Sequence, residues 1–217
     1  VLGVQNFTSS TDTHNTAIGF QAGASVTTGI ENTLIGSETG DALTVGDRNV
    51  AVGKGALGSE TVSDRSTAVG YRVLSAQNTG SNADVYNTGL GYYAGGNVTS
   101  GIQNTILGAS AGSSLTDADY NTAIGYQALT ANTEGSRNVG IGYLALKTNT
   151  TTHDNTAIGF EALFSNQGDA NTAIGREALR SNTSGDYNSA IGVGALTGNT
   201  SGTRNIALGY GALDIPD

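Results

Sequence analysis

The chain has 217 residues, among them 33 Gly, one Pro and no Cys, and carries a formal net charge of −9. The acidic balance excludes nucleic acid as a partner, because phosphates require a basic stripe and the nine Lys and Arg are scattered along the sequence. No disulfide framework or thiolate metal site can form without Cys, and no stretch is apolar for long enough to cross a membrane.

Residues 1–14 read as a partial N-terminal repeat. With no Met in the sequence, this predicts a fragment or a processed product. From Asn15 the chain repeats one phrase, clearest as Asn121-Thr122-Ala123-Ile124-Gly125-Tyr126-Gln127-Ala128-Leu129. Copies begin at positions 15, 32, 49, 66, 87, 104, 121, 138, 155, 171, 188 and 205. The step is 17 residues except for one of 21 and one of 16. A short fixed period of this kind marks a solenoid, in which each unit buries a face against the next. The spacing predicts an all-β, parallel β-solenoid of about twelve 17-residue coils over 15–213, with a four-residue insertion within 75–86 and a tail at 214–217. Stacked at ~4.8 Å, twelve coils would make a rod of roughly 55–60 Å.

Numbering each repeat from its Asn makes the columns legible. Column one is Asn in every copy but Ser66, which predicts a structural ladder of amides in the turns. Column four is always aliphatic, from Ile18 to Leu208, and column five is always Gly, from Gly19 to Gly209. The alternation Thr-Ala-Ile has the period of a strand, with Thr and Ile on one face and Ala on the other. Taking the large aliphatic as core places column four inside and leaves column three, mostly Ala or Gly, as a smooth outer face. Separate chains would meet there. Two short strands per coil are expected. Columns nine and twelve exchange roles: Leu129 goes with Asn132, whereas Gly112 goes with Leu115. Each coil would then fill one corner with one large aliphatic, supplied from either side of the turn.

The Asn-Thr-Ala-Ile-Gly motif resembles the head repeats of trimeric autotransporter adhesins. The longer Asn-Thr-Ala-Ile-Gly-Tyr-Gln-Ala-Leu form is similar to repeats of phage tail-fibre proteins. The resemblance covers residues 15–213 and implies a left-handed β-roll in three side-by-side chains. It also implies a structural and adhesive segment of an extracellular fibre, on a virion or a bacterial surface. Its partners would be two further copies of the chain and a cell-surface glycan or protein receptor.

Candidate contact residues are the aromatics of column six: Phe20, Tyr71, Tyr92, Tyr126, Tyr143, Phe160 and Tyr210. Such a stripe can stack on sugars, but rings that cover a groove or pack on a neighbouring chain are the preferred reading. Column seventeen adds Tyr86, Tyr120 and Tyr187. It also sets Glu31 beside Arg48 and Arg137 beside Asp154 on adjacent coils, as register devices. His14 and His153 share no column and have no ligand spacing, so neither a metal nor another cofactor is expected. A glycan-cleaving enzyme would need paired carboxylates beside a cleft. Asp117 and Asp119 sit instead in a turn segment, and the chain is expected to be non-enzymatic. Ice binding through the Thr of column two is the alternative function, disfavoured while those Thr point inward with Ile.

Overall fold

A computed structural model describes residues 13–214; the N-terminal partial repeat and the C-terminal tail lie almost wholly outside them. Twelve three-residue strands follow one another: β1 (Thr16–Ile18), β2 (Thr33–Ile35), β3 (Val50–Val52), β4 (Thr67–Val69), β5 (Thr88–Leu90), β6 (Thr105–Leu107), β7 (Thr122–Ile124), β8 (Val139–Ile141), β9 (Thr156–Ile158), β10 (Thr172–Ile174), β11 (Ser189–Ile191) and β12 (Ile206–Leu208). They form one parallel sheet in sequential order, with every repeat column in register, for example Ala123 on Gly140 and Ile124 on Ile141. The chain is therefore a β-solenoid.

Each coil contains one strand where two were expected. The segment after column five cannot extend, because columns seven and nine hold left-handed backbone, as at Gln127 (φ 52°) and Leu129 (φ 52°). These turns nonetheless stack coil on coil through main-chain bonds, such as Leu129 N–H to Ala145 C=O at 3.0 Å and Gln127 N–H to Ala109 C=O at 3.1 Å. Column five makes the bend between the two sides. Gly125 has φ 125°, and a Cβ there would lie 2.5 Å from the carbonyl oxygen of Gly142 in the next coil. Both the dihedral and the stacking distance require glycine.

The face assignment is the main correction. Thr and Ile do share a face, but it is the outer one: β7 runs half-buried, buried, half-buried. Column three, with Ala51, Ala68, Ala123, Ala157 and Ala173, is fully buried. Column three is thus no docking face between chains. The lumen is narrow, and this decides the matter. A Cβ on Gly140 would come within 3.2 Å of Leu129 Cγ from the opposite wall. An Ile in every coil at column three would overfill that space, so Ala faces the Ala of column eight and the Leu of column nine. The two large residues of column three, Leu34 and Ile106, occur where column nine is Gly40 and Gly112. Volume is conserved across the lumen.

The exchange between columns nine and twelve has the same origin. Leu129, Leu163 and Leu179 are fully buried, and so are Val26, Leu43, Val98 and Leu115. A Cβ on Gly112 would sit 2.7 Å from Leu115 Cδ1, so the two columns compete for one corner. Asn132 does more than yield the space. Its side chain donates to Gly135 C=O at 2.7 Å and accepts from Gly135 N–H at 2.8 Å, closing the turn. In the two Val coils the equivalent amides of Gly29 and Gly101 reach Thr44 and Thr116 of the next coil instead. The insertion falls between Gln77 and Val85, with Ser81–Asp84 exposed and Asp64 bridging to Asp84.

Leu129→Gly should cost less than a simple truncation. The cavity costs about 2–5 kcal/mol, but Gly adopts this left-handed backbone at a saving of roughly 1 kcal/mol. Adding Asn132→Val should refill the corner and recover part of the loss, while Asn132→Val alone should destabilise by removing both bonds to Gly135. Urea unfolding of the four proteins gives the coupling energy, expected above about 1 kcal/mol. A value near zero would show that the two columns do not share a site. Ala123→Gln should prevent or severely weaken folding, measured as loss of the far-ultraviolet β signal, because it buries an amide in a filled lumen.

Candidate functional site

Two polar rows run along the coil corners, one buried and one part-buried, and two outward surfaces carry distinctive chemistry. The first row is column one. Its Asn side chain accepts a hydrogen bond from the main-chain N–H of the next column-one residue, as from Asn138 to Asn121 at 2.9 Å and from Asn155 to Asn138 at 3.0 Å. The amide nitrogen donates within its own coil region, Asn138 to Thr152 C=O at 2.7 Å. The ladder is structural, as its pattern predicts.

It has one irregular rung. Ser66 lacks an amide, and Gln77 of column twelve reaches into the gap, donating to Ser66 Oγ at 2.8 Å and accepting from Asn87 Nδ2 at 3.0 Å. Gln77 also donates to Glu60 Oε2 at 3.0 Å. Glu60 is fully buried, and its Oε1 accepts the N–H groups of Thr61, Val62 and Ser63 at 2.9, 3.1 and 2.9 Å. Glu60 and Gln77 escape sequence reasoning, although a Glu and a Gln in a column otherwise apolar or Asn are a visible signal.

A second ladder, in column sixteen, also went unread. Here the side chain of the later coil accepts the N–H of the earlier one: Asp47 from Ile30, Asp64 from Asp47, Asp119 from Ile102 and Asp186 from Asp169. His153 Nδ1 does the same for Ser136 N–H at 3.0 Å. Five Asp in this column were the available signal. The ladder accounts for Asp119 and His153 as turn acceptors. Asp117 is taken up similarly: the hydroxyls of Ser100 and Thr99 donate to it and hold its carboxyl below the ordinary range.

The outward face of the sheet is aliphatic and threonine-rich. Ile18, Leu90, Leu107, Ile158, Ile174, Ile191 and Leu208 are all exposed large hydrophobics, and Ile158 keeps 37% of its surface. Beyond the bend lies the aromatic row. Phe20, Tyr71, Tyr92, Tyr126, Tyr143, Phe160 and Tyr210 are all exposed, and they form two stacked groups with isolated members at either end. Tyr71 stacks on Tyr92 with centroids 5.3 Å apart and planes at 8°. Tyr126, Tyr143 and Phe160 form a triple stack at 5.5 and 5.1 Å. Both faces of Tyr143 are therefore occupied by rings of the same chain, and a saccharide cannot lie against either. The row offers edges and hydroxyls more than flat faces.

Column seventeen behaves as its charges predict. Arg48 Nε donates to Glu31 at 2.8 Å, and Arg137 binds both oxygens of Asp154 at 2.6 and 3.0 Å. Arg65 pairs with Asp84 of the insertion, and Arg204 lies 5.4 Å from the Tyr187 ring centroid. Comparison of the chain with protein families, with curated proteins and with solved structures returns no match.

Asn138→Ala removes the acceptor of a buried N–H and the donor of a carbonyl, each costing ~1–3 kcal/mol when left unpaired. Calorimetry should show a fall of several degrees, at about 2–4 °C per kcal/mol for a domain of this size. An unchanged melting temperature would overturn the ladder's structural role. Asp154→Asn should shift it little, because that pair is exposed to solvent. The Arg137 hydrogen bond holds the Asp154 carboxyl below its ordinary value, so any stability it adds is present at neutral pH. It should disappear only on acidification below about pH 4.

Proposed function

We propose that this chain is a structural and adhesive segment of a trimeric extracellular fibre, as its resemblance to adhesin heads and tail-fibre repeats suggests. One observation carries the reading: a row of outward aliphatics, one per coil, on the outer face of a twelve-stranded sheet, seven of them exposed and the other five half-buried. Monomeric soluble proteins rarely leave contiguous apolar patches of more than a few hundred Å² uncovered. Three copies meeting sheet to sheet bury columns two and four, and the neighbouring aromatic row then lies at the seam between chains. This interface replaces the smooth Ala face expected from sequence. The turn side of each coil stays outside and is free to present a receptor-binding surface. The setting is a virion or a bacterial cell surface. No catalytic role is assigned.

The outward Thr give the ice-binding alternative a specific observation as well. Thr occupies column two in eight coils, on the same exposed face, at the strand spacing. Val50, Val139 and Ile206 interrupt the row, and each Thr is flanked by a large aliphatic. The fibre reading accounts for both columns, and ice binding for only one.

Native mass spectrometry at micromolar concentration should give three copies of the 21.8 kDa chain. Ile158→Glu with Ile174→Glu should release monomers that retain the β signal, since both side chains point outward. A monomeric wild type, or a double variant that assembles like the wild type, would refute the interface. Thermal hysteresis in a monomeric wild type would favour the alternative.

A further inference from the structure

The side of the rod opposite the sheet is covered by columns seven, ten and eleven. In the seventh to tenth coils these positions carry side chains, such as Gln127 and Thr130 or Glu161 and Phe164. Between the second and fifth coils three of them are glycine, Gly55, Gly58 and Gly96, and the cover is interrupted. A groove of about 330 Å³ opens there, near the lower end of the ~300–1,000 Å³ typical of small-molecule sites.

Its lining is mostly polar, with one aromatic ring. Tyr93 lies over Gly96: a Cβ on that glycine would sit 2.6 to 2.7 Å from three carbons of the ring. The Tyr93 hydroxyl donates to Asn97 Oδ1 at 2.8 Å and pins the far end. The ring is thereby held against the main chain by one face. Unlike Tyr143, it has no aromatic partner on the other among the described residues. Glu38 and Asp41 stand at the opposite end, and Arg72 lies between. Burial, then the charge of Glu38, raises the Asp41 carboxyl above its ordinary value against the pull of nearby main-chain amides. Among the described residues no carboxylate is within ion-pair distance of Arg72.

We propose that this groove binds a neutral hexopyranoside unit of a surface glycan, with its C–H face on the Tyr93 ring and its hydroxyls on Glu38, Asp41 and Arg72. A pyranose presents an apolar face and an equatorial belt of hydroxyls. Carboxylates and a guanidinium grip such a belt through charge-assisted bonds. Arg72, and Lys54 at 3.8 Å from Glu38, offset the two carboxylates, so the groove has no net positive charge to hold phosphate or sialic acid, and a peptide would find no apolar pocket for a side chain. The groove lies on the face that sheet-to-sheet assembly leaves open. The inference gives the adhesive half of the proposed function a ligand class, and it does not depend on trimerisation.

The test is saturation-transfer NMR and calorimetry on the whole chain, with methyl glucoside, galactoside, mannoside, N-acetylglucosaminide and a sialoside. Two variants reuse residues that the same columns already accommodate. Tyr93→Gln copies Gln127 at left-handed backbone, and Gly58→Phe copies Phe164 and fills the groove. At least one neutral pyranoside should bind the wild type. Each variant should lose about tenfold or more in affinity, with circular dichroism and native mass unchanged. Binding of no neutral pyranoside, binding of the sialoside alone, or full affinity in both folded variants would each overturn the proposal. A monomer that binds pyranosides would sink the fibre and leave the groove standing, whereas a trimer that binds none would do the reverse.

Discussion

The constraint on which everything else rests is that each coil lies directly on the last, at one strand spacing, with its main chain in register. At that distance nothing but hydrogen fits on the α-carbon of column five, because the next carbonyl oxygen stands where a Cβ would be. Buried main-chain groups at the coil corners have no water to turn to, so neighbouring coils must satisfy them. Asn in column one and acceptors in column sixteen do this in opposite directions along the rod. The inner row demands an amide, because it must donate and accept at once. The outer row needs an acceptor alone, and Asp, Ser and His all serve.

The narrow lumen follows from the short coil. Three-residue strands close on a turn side that approaches within contact of Ala, so the interior is built mainly of Ala with one larger residue per corner. That residue can enter from column three, eight, nine or twelve, and the positions it faces shrink to match. Leu34 faces Gly40, and Val73 faces Gly89, where a Cβ would collide with it. The same economy pushes the branched aliphatics of column four outward. Apolar surface that an ordinary domain would hide becomes available for assembly.

The sequence made the period, the parallel stack, the glycine bend, the Asn ladder and the corner exchange legible, because each is a column property. It did not show which side of the strand is inside. Alternation defines two faces but not their orientation, and the size of Ile pointed the wrong way. The lumen width that reverses the choice depends on left-handed backbone at Gln127 and Leu129, residue types that seldom adopt it. The candidate aromatics were correctly placed in one row. Whether a ring face is free, as at Tyr93, or covered, as at Tyr143, depends on distances that no column reports. The Tyr93 groove was invisible for a further reason: it arises from three absent side chains spread over two columns and two coils.

The fourth coil has a mechanical consequence. Its amide rung is spliced from Ser66 and Gln77, and the extra residues before Val85 are exposed and tied back to the preceding coil only around Asp64. Tension along the axis loads all coil interfaces in series, so the rod is as strong as its most improvised joint. Beside that joint lies the fully buried Glu60, bound to Gln77, whose exposure to water would reward opening. The insertion thus works as a built-in yield point. A rod pulled along its axis is expected to open there first, with the regular coils from Asn87 onward still wound.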